Sequence, residues 1–196
     1  MAQKVKYVIV VVNGYGCHLD TPLDQTYLPK VAKFIEEHLT ILEVIYTGGF
    51  TQRRTAPGIS EAKLMSDFVT QQVDFMGCED FFRLEEDSYT TYENSQKVVA
   101  HLDAIMHEQS LTFRDIRIVH FCEATRAPLV VMLDRHFLLP FVETIDDITI
   151  EAASWERVDP FKQVHNLIYN KLAIKYPLLG LAERERKKRI RRAEQI

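Results

Sequence analysis

The sequence predicts an α/β fold, a three-layer sandwich in which a mainly parallel sheet lies between helices, followed by a small helical C-terminal part. Two observations carry this reading. The run Tyr7 to Val12 (YVIVVV) is almost continuously β-branched. Such runs suit a strand buried on both faces, as a parallel sheet requires. Further short apolar runs then alternate with helical patterns of ten or more residues, the pattern of helices covering a parallel sheet.

The first strand, Tyr7 to Val12, is broken by Asn13-Gly14-Tyr15-Gly16. A helix is expected from about Pro29 to His38, with Val31, Phe34 and Ile35 on one face. Ile41 to Tyr46 reads as the second strand, ending in Thr47-Gly48-Gly49. Ser60 to Val73 reads as a helix, because Leu64, Met65, Phe68 and Val69 recur at helical spacing. Phe81 to Glu85 is a short strand, and Ser88 to Met106 a helix burying Val98, Val99, Leu102, Ile105 and Met106. Ile116 to Cys122 is a fourth strand. Ala124 to Arg135 is a helix with Pro128 in its first turn, where a missing N–H costs nothing. One or two more strands are expected between Phe137 and Ile150.

This places one domain over residues 1–150 and a helical segment over 151–196. In that segment Val164, Leu167, Ile168, Leu172 and Ala173 form a stripe expected to pack on the main domain. The tail 183–196 holds seven basic residues against three acidic ones, a charge of +4 in a chain of −4. It reads as a solvated, partly frayed helix end, with a nucleic-acid or membrane-surface arm as the lesser alternative.

Composition narrows the class. Apolar content of 46% and charged content of 27% are ordinary for a folded soluble protein. The net charge of −4 makes nucleic acid an unlikely main partner. No apolar stretch is long enough to span a bilayer, and Tyr7 to Val12 is too short for a secretory signal. The chain is therefore read as cytoplasmic, with oligomerisation left open. Cys17, Cys78 and Cys122 are widely spaced, so neither a disulfide framework nor a zinc ribbon is expected.

In open parallel sheets ligands bind beyond the carboxyl ends of the strands. That edge would hold Asn13, Thr47, Glu85 and Cys122. Gly14-x-Gly16 lacks the third glycine of a dinucleotide fingerprint, since Leu19 stands in its place. No P-loop is present. Gly58-Ile59-Ser60-Glu61-Ala62 falls short of a nucleophile elbow, which also needs a strand running straight into it. His18-x-Asp20 and His120-x-Cys122 lack a third ligand, so no metal site is assigned.

The stretch Leu84 to Asn94 (LEEDSYTTYEN) is richer. Thr90-x-x-Glu93 fits a capping box, which leaves Glu85, Ser88 and Asn94 unexplained. A helix N-terminus there suits an anion, and hydroxyl and amide groups suit a polar ligand. Arg126 opens the next helix, where the dipole would prefer an acid. It either grips a carboxylate or phosphate, or pairs with Glu85, Glu86 or Glu123.

Together, "YTGG" with the later "SEAKLM", "LEEDSYTTYENS" and "RIVHFCEATRAP" resemble the YdcF-like family, a domain-of-unknown-function group whose relatives include the SanA and ElyC envelope proteins. The resemblance covers about residues 5 to 140. Gly48 and Gly49 take the family's glycine pair, with Thr47 in the serine place. Ser60, Glu61 and Ala62 take its S-E-A. Glu85, Ser88, Thr91, Glu93 and Asn94 take its central motif, and Arg126 and Ala127 its R-A. Thr90 replaces the usual asparagine, and Glu123 stands where the family usually has histidine.

The resemblance implies a Rossmann-like fold and binding of a nucleotide-like small molecule, S-adenosylmethionine above others, as cofactor or ligand. The expected binding set is Asn13, Gly14, Thr47, Gly48, Gly49, Ser88, Thr91, Glu93, Asn94 and Arg126, with the Gly48 and Gly49 amides approaching the ligand. The alternatives are a hydrolase or transferase acting on a phosphorylated or glycosylated small substrate, with Glu61 or Glu85 as acid–base group, and a non-catalytic interaction protein. The loop Gln52-Arg53-Arg54 reads as either a mobile flap or a plain solvent loop.

Overall fold

The computed structural model describes residues 6–14, 22–51, 57–73, 81–153 and 160–194. The readings made on Gly16, Cys17, His18, Asp20, Gln52-Arg53-Arg54 and Cys78 lie outside the described residues.

A five-stranded, all-parallel sheet runs β3-β2-β1-β4-β5 across the molecule, a Rossmann-like order. Its strands are β1 (Tyr7–Asn13), β2 (Ile41–Thr47), β3 (Phe82–Glu85), β4 (Ile116–Glu123) and β5 (Ile148–Ala153). The helices are α1 (Pro22–Glu37), α2 (Glu61–Gln72), α3 (Thr91–Glu108), α4 (Ala127–Phe137), α5 (Pro160–Lys175) and α6 (Leu181–Glu194). Among the described residues, no helix is long and apolar enough to cross a membrane.

The β-branched run of β1 is buried on both faces because side chains alternate along a strand. Val8, Val10 and Val12 pack with α1 and α2 residues such as Val31 and Met65. Ile9 and Val11 point the other way, to Val98, Leu102 and Ile105 of α3. The sheet therefore separates two cores, and both depend on β1.

Several boundaries differ from the sequence reading. Helix α1 begins seven residues before Pro29 and runs through it. Proline costs an intrahelical hydrogen bond, but Tyr27 and Leu28 just before it are fully buried, and that packing holds the first half. The stretch after Phe137 holds two 3-10 turns and then one of the one or two strands expected there, β5, which begins at Ile148 and extends past residue 150 to Ala153. The expected packing of Val164, Ile168 and Leu172 on the main domain is not found: all three are exposed on the outer side of α5. Of that stripe only Ala173 is buried, with Leu167 half-buried.

Substitutions should separate these environments. Ile118→Ala, in the core under α3, is expected to cost about 2–5 kcal/mol. Ile168→Ala, on the outer side of α5, should change stability by no more than about 0.5 kcal/mol. Urea midpoints of the two variants measure the contrast.

Candidate functional site

The strand order reverses direction between β1 and β4, the place where open α/β sheets form their ligand crevice. One α1 side chain marks it. The Tyr27 hydroxyl lies 2.9 Å from both the Asn13 and the Phe121 carbonyls, tying the carboxyl ends of β1 and β4 together. Beside them, Thr47 Oγ1 donates to Asn13 Oδ1 at 2.8 Å. Asn13 and Thr47 thus serve each other at the strand ends and do not line the pocket above them.

Gly48 and Gly49 are not ligand donors. The Gly48 amide donates to the Glu85 carbonyl at 2.9 Å, and the Gly49 amide to the Ser88 carbonyl at 2.7 Å. Their own carbonyls accept from Ala62 and Glu61, the first amides of α2, at 3.0 and 3.1 Å. The expected approach of these amides to a ligand is therefore corrected: every polar group of the pair is spent on tying β2 to the β3 exit and to α2. Their value is space. A Cβ on Gly49 would meet the Glu86 and Ser88 carbonyl oxygens at 2.8 and 2.7 Å. Gly48 adopts φ +148°, and a Cβ there would meet Glu61 Cβ at 2.8 Å.

Glu61 occupies the space the glycines leave. Its carboxylate lies so close to Gly14 that a Cβ there would meet Oε2 at 2.5 Å. The side chain accepts a hydrogen bond from Thr51 Oγ1 and is only 4% exposed. Ser60, just before it, caps α2 by accepting from the Lys63 amide at 3.0 Å and donates to Glu86 Oε1 at 2.6 Å.

On the opposite wall stands the start of α3. Thr90 caps the helix by accepting from the Glu93 amide at 3.1 Å. Glu93 Oε2 returns to the Tyr89 amide at 2.8 Å, one residue earlier than a regular capping box would place it. Glu93 is therefore structural, and burial pushes its carboxyl pKa up despite the Tyr89 amide and the nearby Arg186. Thr91, Asn94 and Ser88 line the pocket itself. The Ser88 hydroxyl is unusual. It is buried, with the residue 1% exposed, and has no hydrogen-bond partner among the described residues.

Of the two acids expected to act as acid–base group, Glu61 lines the cavity and Glu85 does not, and neither does Glu123 at the family's histidine place. Glu85 accepts from the Asp87 amide at 3.0 Å and lies 3.6 Å from Lys97 Nζ, so its first carboxylate oxygen braces the β3 exit outside the pocket. Glu123 accepts from the Thr125 amide at 2.9 Å and from the Thr125 hydroxyl. It shapes the turn after β4 and adds no charge to the pocket lining. Arg126 follows that turn and reaches Thr91 Oγ1 at 3.4 Å. Behind the wall, buried Asp134 accepts from His120 Nδ1 at 2.6 Å and from Ser95 Oγ at 3.0 Å, joining α3, α4 and β4. Burial drives the Cys122 thiol pKa up to about 12, which removes it as a nucleophile.

The roof comes from the tail. Helix α6 lies over the α3 start, with Arg186 Nε 2.7 Å from Glu93 Oε1 and its guanidinium 5.8 Å from the Tyr89 ring centre. Beyond this anchor Arg189, Arg192 and Ala193 complete the pocket, and Ala193 is buried. The reading of a solvated, frayed end is thus corrected. The signal was a helical period in the wrong residue types: Ala182, Glu185, Arg186, Arg189 and Ala193 turn inward, mostly charged or small.

The resulting cavity measures about 300 Å³, with Gly14, Gly48 and Glu61 at one side, Ser88, Thr91 and Asn94 at another, and Arg126, Arg189 and Arg192 closing it. A neighbouring cavity of about 230 Å³ shares Thr90, Thr91 and these three arginines, and continues to Lys162, His165 and Asn170 of α5.

Three outcomes follow from this geometry. Ser88→Ala removes an unpartnered buried hydroxyl, so its stability should stay level or rise by up to about 1 kcal/mol. Arg186→Ala should cost about 1–2 kcal/mol at neutral pH. Glu93's raised pKa by itself favours the folded state in acid, and this benefit is lost as pH rises through the folded value. Attraction to Arg186 exists only when Glu93 is ionised. The penalty of Arg186→Ala is thus expected to shrink in acid below the Glu93 titration, measured by urea denaturation of both proteins across pH.

No family model and no curated protein matches the sequence. Among solved structures the chain is similar to glucose-6-phosphate dehydrogenase in complex with its substrate glucose-6-phosphate, at 9% identity and a TM-score of 0.46. The similarity covers 85% of this chain and about a third, 34%, of that one.

Proposed function

We propose that the chain binds a nucleotide-like small molecule at the carboxyl edge of its sheet, with an anionic group of the ligand held among Arg126, Arg189 and Arg192. The observation that carries this reading is the lining of one cavity, which brings Arg126, Arg192 and Arg189, the last also paired to Glu185 at 3.0 Å, together with Glu61 and a buried serine hydroxyl that has no hydrogen-bond partner among the described residues. Guanidinium forks match phosphate and carboxylate oxygens, and a buried hydroxyl without a partner is a donor that a ligand can satisfy. Phosphorylated nucleotides suit the excess of positive charge. S-adenosylmethionine, which the YdcF-like resemblance implies, offers a carboxylate to the arginines and a sulfonium to Glu61. An open cavity of about 300 Å³ supports ligand binding over a purely scaffolding role. A cytoplasmic location, where such ligands are abundant, belongs to the same proposal.

One observation favours a catalytic version. Glu61 is buried in the cavity wall and hydrogen-bonded to the Thr51 hydroxyl, while Glu85 sits outside. In a hydrolase or transferase acting on a phosphorylated or glycosylated substrate, Glu61 would be the acid–base group.

Titration calorimetry with ATP, NAD and S-adenosylmethionine tests the reading, and heat from none of them would sink it. Arg192 is exposed, so Arg192→Ala should leave folding intact and weaken binding about 10–100-fold. In the catalytic version Glu61→Gln lowers turnover about 10²–10⁴-fold on a phosphatase and glycosidase panel, with binding retained.

A further inference from the structure

Helix α5 presents its apolar side outward. Phe161, Val164, Ile168 and Leu172 are exposed by 86%, 55%, 55% and 41%. At one residue per 100° these four fall within an arc of about 80°. The turn after the helix extends the patch with Leu178, at 101% exposed, and Leu179, at 53%. The inward side carries Asn166, Tyr169 and Asn170, which line the smaller cavity. A helix that only covered its own domain would reverse this arrangement. A lone exposed leucine needs no explanation, but a contiguous apolar stripe marks a surface that meets something.

Charge indicates what it meets. The sequence of α5, PFKQVHNLIYNKLAIK, contains no acidic residue. Lys171 and Lys175 are exposed along the stripe, on the same turns as Ile168 and Leu172. Helix α6, packed against α5, adds a basic groove lined by Arg184, Lys187, Lys188 and Arg191 with Arg192. A second copy of the chain laid on this surface would bring lysines against lysines, with no acid on α5 to compensate.

We propose that α5 and the turn through Leu179 dock the protein on an anionic lipid bilayer. Phe161, Ile168, Leu172 and Leu178 enter the boundary between headgroups and acyl chains, and Lys171 and Lys175 meet the lipid anions. The 16-residue helix lies flat along about 24 Å of surface and does not cross it. No α5 residue lines the binding cavity of about 300 Å³, and the smaller cavity beside it takes Asn166, Tyr169 and Asn170 from the other side of the helix, so the α5 side chains that dock are not those that would hold the ligand. The inference is independent of the ligand reading above.

Co-sedimentation of the full chain with vesicles tests it, comparing phosphatidylserine-containing vesicles with pure phosphatidylcholine. Binding is expected only to the former and to weaken as salt rises. Each of Lys171→Ala and Lys175→Ala should weaken partition about fivefold. The double variant Ile168→Asp with Leu178→Asp should abolish it, with an unchanged thermal midpoint because both side chains are exposed. No binding to the anionic vesicles at low salt overturns the proposal, as does binding that survives the double aspartate variant. Indifference to vesicles with binding to polyglutamate would instead assign the face to an acidic protein. A concentration-dependent dimer by light scattering, lost in the same variant and without lipid binding, would assign it to a second copy.

Discussion

Two glycines at the end of β2 hold three chain segments at one point. The amides of Gly48 and Gly49 reach the carbonyls of Glu85 and Ser88, and their carbonyls reach the first amides of α2. Four backbone hydrogen bonds thus cross between segments that are far apart in sequence, in a space where a single methyl group on Gly49 would collide with main-chain oxygens. Ser88 and Glu61 owe their positions to this junction. So does the α3 start, because the chain passes directly from Ser88 into its cap at Thr90. One side of the cavity is therefore anchored on a backbone junction, from which Glu61 and Ser88 are set into its rim. This suits a site that must be preorganised, since loosely held groups lose binding energy to ordering.

The fold was legible because its causes are local and periodic. The β-branched run of β1 announces a strand buried twice, and the spacing of Leu64, Met65, Phe68 and Val69 announces α2. The start of α1 was hidden, since Pro29 looks like a first-turn proline and only the burial of Tyr27 and Leu28 reveals the earlier turns. The sheet edge was legible too. Gly14, Gly48, Glu61, Ser88, Thr91, Asn94 and Arg126 do converge on one cavity. Residue type alone could not show which neighbours are consumed by the fold itself. Glu85 and Glu93 have the same chemistry as Glu61, but backbone amides had already claimed them.

The C-terminal region misled for a physical reason. Hydrophobic periodicity assigns inside and outside by assuming that apolar residues point in. In α5 they point out, and in α6 the inward positions are filled by Glu185, Arg186 and Arg189. These two helices are held by polar contacts at their inner sides: Tyr169 of α5 donates to the Leu181 carbonyl at 2.6 Å, and Arg186 of α6 meets Glu93 of α3, while Arg189 donates to Glu185 one turn earlier within α6 at 3.0 Å. Such contacts leave no periodic trace in hydropathy. They also deliver arginines to a cavity whose other walls come from residues between Gly14 and Arg126, far earlier in the chain.

The closeness of Glu61 to Gly14 and Gly48 has a consequence for how such a sequence can change over time. The carboxylate fits because both glycines are small, but it is not all that keeps them so. A Cβ on Gly14 would still meet the Thr47 carbonyl oxygen at 2.8 Å, and Gly48 would still hold φ +148°, whatever stood at position 61. The dependence therefore runs one way: a lineage can lose the acid and keep both glycines, but it cannot keep the acid in place once either glycine has been enlarged.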